Sequence, residues 1–384
     1  MEHEKILKNL IEIKSYSGEE RSVKDFISEW FKTRGMESFN QGENLVVHFE
    51  GKDRSKAFIF NAHMDTVSAG DLPWKHGPWT PTREGAKLVG LGTSDMKSGL
   101  TATMLLAKRY SQDRPPVDLW FTYVVREEQD GSGTASLAEW FEEQGFIQRY
   151  KDMVGIFAEP TSLKEIEHGH RGNFFLKVTA KGESGHSSRP NEVKGVLAVR
   201  KIINFADVLI KSVEEWNNKF ADTYFNPAIT LGEFSSIYAG VDVKREGKNN
   251  VLVTQSPNKF PSTCTATFDL RTTPLFHSEA FKGVKQVAKE SGVKVRLLFP
   301  EAPAGFTDPK EKIVKVGRGI VENCTLSVSQ ASADLGFLTT RGVKAIILGP
   351  GEKLQAHELN EFCLPDQIPQ AVEIYKQIVD AWAK

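Results

Sequence analysis

Cysteine is scarce in this chain of 384 residues: only Cys264, Cys324 and Cys363 occur, and no two of them form a C-x-x-C pair. So few thiols, so far apart, cannot close a disulfide framework, and their number fits a reducing compartment. An excess of either charge is also missing. Lys and Arg number 49 against 50 Asp and Glu, a formal net charge of −1. A nucleic-acid or anionic-membrane binder would show a basic excess or stripe, so neither partner is expected. No stretch approaches the roughly 20 apolar residues of a spanning helix. The opening Met1-Glu2-His3-Glu4-Lys5 places charge where a signal peptide needs an apolar run. Internal repeats and low-complexity segments are lacking too. The expectation is a cytoplasmic protein.

What is present reads as an ordinary globular chain, 40% hydrophobic and 26% charged. At roughly 150 residues per domain the length allows two or three domains. Short apolar runs at 45–49, 57–60, 119–125, 154–158 and 345–348 are bounded by polar or Gly/Pro residues and predict buried strands. Helical periodicity lies between several of them, at 98–110 and 134–144, and two amphipathic helices open the chain. Strands alternating with helices predict an α/β fold, a mainly parallel sheet covered by helices on both faces. Residues 171–300 read differently. Strands are expected at 173–180, 228–234, 251–254, 263–271 and 293–299, helices at 193–216 and 278–291, and a loop at 245–250. This β-α-β-β-α-β order is ferredoxin-like. The expected organisation is a catalytic domain of 1–170 and 301–384 with an inserted α+β lid or dimerisation domain of 171–300.

In open parallel sheets, ligands bind beyond the carboxyl ends of the strands. Here those ends lead into His63-Met64-Asp65, Arg126-Glu127-Glu128, Glu159-Pro160 and Gly349-Pro350-Gly351, with His357 shortly after; Asp95 precedes the helix at 98–110. Each alone has a bland reading as a turn, a solvated face or loop chemistry. Gly90-Leu91-Gly92 could suggest a dinucleotide turn, but the third glycine and the acid about 20 residues on are missing. Their convergence on one sheet edge is the signal. Clustered carboxylates repel one another, and no run of arginines is present to neutralise them. Two divalent cations and a bridging hydroxide would balance Asp95, Glu128 and Glu159, with His63 and His357 neutral. Imidazole and carboxylate ligands without thiolate suit catalytic zinc. Asp65 could orient the His63 ring through its other nitrogen. Glu127, not needed as a ligand, is placed to act as general base.

These residues resemble the dizinc peptidases and deacylases that include succinyl-diaminopimelate desuccinylase, acetylornithine deacetylase, aminoacylase and glutamate carboxypeptidase. The similarity runs in order along the chain: His63-Met64-Asp65-Thr66-Val67, Gly92-Thr93-Ser94-Asp95-Met96-Lys97, Glu127-Glu128, Ala158-Glu159-Pro160 and His357-Glu358-Leu359-Asn360-Glu361. The resemblance implies one metal held by His63, Asp95 and Glu159 and another by Asp95, Glu128 and His357, most simply zinc, with cobalt or manganese as substitutes. It also implies that His186, in Gly185-His186-Ser187, stabilises the oxyanion in the partner's site of a homodimer. Arg271 would grip a substrate carboxylate, assisted by Asn250, while Asp334-Leu335-Gly336 and Gly349-Pro350-Gly351 would line the pocket. Departures occur at Arg126, Leu91 and Ala333, none of which removes a ligand or the base. The expected activity is hydrolysis of the amide of an N-acyl amino acid or small peptide, as in a succinyl-diaminopimelate or acetylornithine deacylase. The alternatives are a dipeptidase or carboxypeptidase of the same family and, from another class, a non-catalytic binding protein on the same fold.

Overall fold

The computed structural model describes residues 1–246, 249–254 and 257–384, with the backbone alone over 241–246 and 249–254. The chain divides into two compact units: Met1–His170 with Gly305–Lys384, and Arg171–Ala304.

The first unit is built on a nine-stranded sheet. Its centre is a run of four neighbouring parallel strands in the order Val117–Val124, Asp53–His63, Asp152–Phe157 and Lys344–Ile347. These strands are buried almost throughout, so they carry continuous apolar runs rather than alternation, as sheets covered on both faces do. The parallel register aligns His63 with Val124, and Asn61 with both Thr122 and Phe157. The chemistry-bearing residues that follow these positions therefore leave the sheet at one edge. Helices Glu2–Glu12, Ser98–Tyr110 and Gln367–Ala383 contribute to one core, where Phe58, Phe60, Phe121, Tyr375 and Trp382 form an aromatic stack. Ser98–Tyr110 is buried on nearly every side because it packs against the Glu2–Glu12 and Gln367–Ala383 helices and against the sheet. A Cβ on Gly99 would lie 1.9 Å from the carbonyl oxygen of Ala158. Only glycine allows that approach, and it sets the helix start beside the segment bearing Glu159.

The second unit is a four-stranded antiparallel sheet in the order Thr230–Ala239, Thr263–Thr272, Gly172–Lys181, Lys294–Leu297. Helices Ala198–Lys219 and His277–Glu290 bury their apolar stripes with the inward residues Phe174, Leu176, Val178, Phe268 and Leu270. This is the ferredoxin-like order expected.

Three details differ from expectation. The long helix begins at Ala198 rather than 193 and runs on to Lys219. Pro190–Glu192 forms a 3-10 turn, and Gly195, a poor helix former, keeps the following residues out of the helix. The strand expected at 251–254 belongs to a separate hairpin of Val241–Glu246 and Asn249–Thr254, not to the main sheet. Of the loop expected at 245–250, Arg245 pairs with Asn250 and Glu246 with Asn249, so these four are strand residues despite the Gly/Asn content of the segment. Residues 247 and 248 themselves lie outside the described residues.

Candidate active site

His63 is the last residue of its strand and is buried. Its Nδ1 lies 3.0 Å from the carbonyl oxygen of Asp65 and 3.5 Å from that residue's carboxylate. The ring is thus oriented mainly by the Asp65 backbone. The Asp65 carboxylate, fully buried, has other work: it accepts from the N–H of Glu127 at 3.2 Å, the N–H of Glu128 at 3.1 Å and the Ser17 hydroxyl at 2.7 Å. It fixes the loop on which both glutamates sit.

The other ring nitrogen of His63 faces a set of carboxylates. Nε2 is 3.1 Å from Asp95 Oδ1 and 3.6 Å from Glu159 Oε1. On the far side of the same aspartate, His357 Nε2 is 3.6 Å from Asp95 Oδ2 and 2.9 Å from Glu128 Oε2. Asp95 therefore offers one oxygen to each histidine, and each histidine has a glutamate beside it. Ligand atoms of His63, Asp95 and Glu128 lie within 4.8 Å of one another. Zinc binds nitrogen and oxygen at about 2.0–2.2 Å, so two atoms sharing one tetrahedral ion stand roughly 3.3–3.6 Å apart. The spacings around Asp95 approach that value, and the chemistry of these residues suits divalent cations.

The electrostatics agree. Burial pushes Glu127 and Glu159 well above the usual carboxylate range, reinforced by the charge of Asp334 on Glu127 and of Asp95 and Glu128 on Glu159. Glu128 is raised by burial and by Asp95. Burial alone would lower His63, but Glu159, Asp65 and Asp95 carry it well above its ordinary value, and the Glu128 bond lifts His357 to about 9. Among the described residues no Lys or Arg forms an ion pair with Asp95, Glu127, Glu128, Glu159 or Asp334. With only protein groups present, this cluster is eased by taking up protons; bound cations relieve the same repulsion.

Several contributors had no sequence signal as positioning groups. The buried Glu361 carboxylate accepts the N–H groups of Gly92 at 2.7 Å, Ser94 at 2.7 Å and Asp95 at 2.9 Å. Its own carbonyl accepts from Gly90 at 2.9 Å. It ties the turn bearing Asp95 to the segment bearing His357. Lys97, fully buried, donates to the carbonyls of Leu10 at 2.9 Å and Ile13 at 3.0 Å, anchoring that turn to the first helix. Burial lowers its ammonium to about 7. Asp334 is buried, bonded by the Thr134 hydroxyl, and lifted to about 7 by burial. Glu20 accepts the Arg126 N–H at 3.0 Å, a second hold on the Glu127 loop. Backbone N–H partners leave no trace in side-chain identity, so only the acid's presence in His357-Glu358-Leu359-Asn360-Glu361 could have pointed to Glu361.

Three expected site residues belong to the second unit. His186 is exposed on the two-residue strand Gly185–His186, with Nδ1 2.8 Å from the Ser188 hydroxyl. Arg271 is partly buried, and its Nε and Nη2 donate to Asp269 Oδ2 at 3.0 and 2.8 Å. The Asn250 side chain lies outside the described residues; its backbone pairs with Arg245.

A parallel sheet whose strand ends gather imidazoles and carboxylates around a shared aspartate defines a metal-dependent hydrolase. The model of peptidase family M20/M25/M40 matches residues 59–381, and the chain belongs to that family. A probable succinyl-diaminopimelate desuccinylase of Staphylococcus epidermidis is 26% identical over 98% of this chain and 97% of that protein. The succinyl-diaminopimelate desuccinylase of Acinetobacter baylyi is 25% identical over 84% of this chain and 82% of its own length. Among solved structures, an M20 family metallo-carboxypeptidase of Sulfolobus solfataricus superposes with a TM-score of 0.76 at 16% identity, covering 100% of this chain and 99% of that one. A dinuclear metal-binding M20 peptidase of Bacillus subtilis gives 0.67 at 12% identity, covering 98% and 96%. Among the described residues no helix is long and apolar enough to cross a membrane.

Proposed function

We propose that this chain hydrolyses the amide bond of an N-acyl amino acid or small peptide, as a deacylase of the succinyl-diaminopimelate or acetylornithine kind or as a dipeptidase or carboxypeptidase. The observation that carries it is the Asp95 carboxylate set between His63 and His357, with Glu159 and Glu128 alongside. His63, Asp95 and Glu159 would hold one divalent ion, and Asp95, Glu128 and His357 a second, zinc in the first instance and cobalt or manganese as substitutes. Such ions would supply Lewis-acid polarisation of the scissile carbonyl and acidification of water at neutral pH.

The remaining work falls to the protein. Glu127 is the general base. Burial and the neighbouring Asp334 charge give its carboxylate a raised proton affinity. It takes a proton from the attacking water and returns it to the leaving amine nitrogen, while the carbonyl carbon gains the hydroxyl and loses the amine. Asp65 holds the Glu127 and Glu128 backbone so that base and ligand keep their spacing. His186, in the second unit, would donate to the developing oxyanion, in a partner's site if the chain forms a homodimer through that unit. Arg271 would bind the carboxylate of the leaving amino acid, exchanging its bond to Asp269 for a bidentate one, with Asn250 assisting. The three dispersed thiols and the lack of a charge excess support a cytoplasmic setting.

Replacing Glu127 with alanine tests the assignment. Turnover is expected to fall by roughly 10²–10⁴-fold while metal content stays at the wild-type level. Loss of metal in step with activity would make Glu127 a ligand instead.

A further inference from the structure

A cavity of about 580 Å³ lies in the first unit, bounded by the 67–74 loop, Leu91 and the 357–359 segment. Its size suits a small-molecule group. His357 lines it, so the cavity shares a wall with the candidate metal centre. The two loops are joined: the Lys75 N–H donates to Asn360 Oδ1 at 2.8 Å. The cavity is therefore a formed feature bridging two separate stretches of chain.

Its walls have a definite chemistry. Val67, Leu72, Trp74, Leu91 and Leu359 supply apolar surface. The only polar hydrogen of the Trp74 side chain is spent inside its own loop, donating to the Ala69 carbonyl at 2.9 Å, so the ring has only apolar surface left to offer. Leu72 and Leu359 are 67% and 39% exposed, large apolar side chains kept in water beside the centre. The acidic lining residues are Asp71 and Glu358, and among the described residues no lysine or arginine lines the cavity. Lys75, next along the chain, is turned to Glu84 at 2.6 Å. Apart from His357, which the proposed centre takes as a ligand, an acyl group ending in a carboxylate would meet two acids there.

We infer that this cavity is the acyl pocket of the enzyme and that it takes an uncharged apolar group, branched aliphatic or aromatic, in preference to a dicarboxylic acyl group. The conclusion rests on the amide-hydrolase activity proposed above. The leaving amino acid carries a carboxylate, which Asp71 and Glu358 in this lining would repel, so the acyl side is the one that fits this cavity.

The test uses the full-length, zinc-loaded protein and substrates that share one amino acid and differ only in the acyl group: acetyl, isovaleryl, phenylacetyl and succinyl. Isovaleryl and phenylacetyl are expected to exceed acetyl in kcat/KM by roughly 10- to 200-fold, the range an apolar pocket gives for added methylenes. Succinyl should fall at or below acetyl. Leu72→Arg and Leu359→Arg change exposed side chains and place a cation at the cavity. In both variants the apolar preference should shrink at least about 10-fold and the succinyl substrate should gain, with thermal unfolding checked for an intact fold. Hydrolysis that favours succinyl, is flat across the acyl series, or keeps its apolar preference in both variants overturns the pocket and leaves the hydrolase assignment standing. Absence of hydrolysis on every member, and on dipeptides, overturns the hydrolase assignment itself.

Discussion

The two oxygens of Asp95 each face a different imidazole, and that placement depends on a residue 266 positions away in sequence. Glu361 fixes the turn through three backbone N–H groups, two on one oxygen and one on the other. In Glu361→Gln one of those N–H groups would face an amide N–H₂. A buried donor left without an acceptor costs about 1–3 kcal/mol. Weaker support of a ligand typically lowers metal affinity 10- to 100-fold. The variant should therefore fold, unfold at lower urea concentration, and lose zinc to a competing chelator at least about 10-fold more readily. Wild-type zinc affinity would show that the Asp95 turn holds its geometry without Glu361. Burial lifts the Glu361 carboxyl to about 8 even against these bonds, a measure of how little water reaches it.

Among the elements, the junction of the Ser98–Tyr110 helix with the sheet edge is the most constrained. Helix propensity alone predicts that Gly99→Ala stabilises by about 1 kcal/mol. Sterics predict the opposite, since the new Cβ would sit 1.9 Å from the Ala158 carbonyl oxygen, which is backbone and cannot swing aside. Overpacking of this kind costs about 1–3 kcal/mol, so a net loss is expected in urea unfolding, together with weakened metal binding through displaced Glu159. A gain in stability would show that the helix can shift freely.

The α/β class, the parallel strands and the ferredoxin-like order of the insert were legible because buried strands and amphipathic helices write their periods into side-chain identity. The residues of the proposed metal cluster stood out as polar groups just past apolar runs. What stayed hidden was backbone-borne. The strand that yields His63 begins at Asp53, but its first four residues, polar and mostly half-buried, carry no apolar signal. The role of Asp65 as cradle for the Glu127 and Glu128 N–H groups, and that of Glu361, depend on donors common to every residue. The loop expected at 245–250 is overdrawn because Asn249 and Asn250 are loop formers by composition yet pair as strand residues here.

On the scale of the whole molecule, a repulsive cluster of buried acids is tolerable only if something offsets it. Bound zinc should therefore stabilise the chain markedly. A ligand at 1,000 times its dissociation constant contributes about 4 kcal/mol to the folded state. Chelation should lower the unfolding temperature and abolish amide hydrolysis together, and zinc should restore both. A chain stripped of metal that kept its unfolding temperature would show that the acids are not held together by cations.

The most direct measurement is the metal stoichiometry of the purified chain after equilibration with zinc, by elemental analysis alongside titration calorimetry. Two ions bound per chain, falling to one or none in Asp95→Ala, is the predicted result. Fewer than one ion per chain, or two that persist without Asp95, would contradict a centre built around that shared carboxylate.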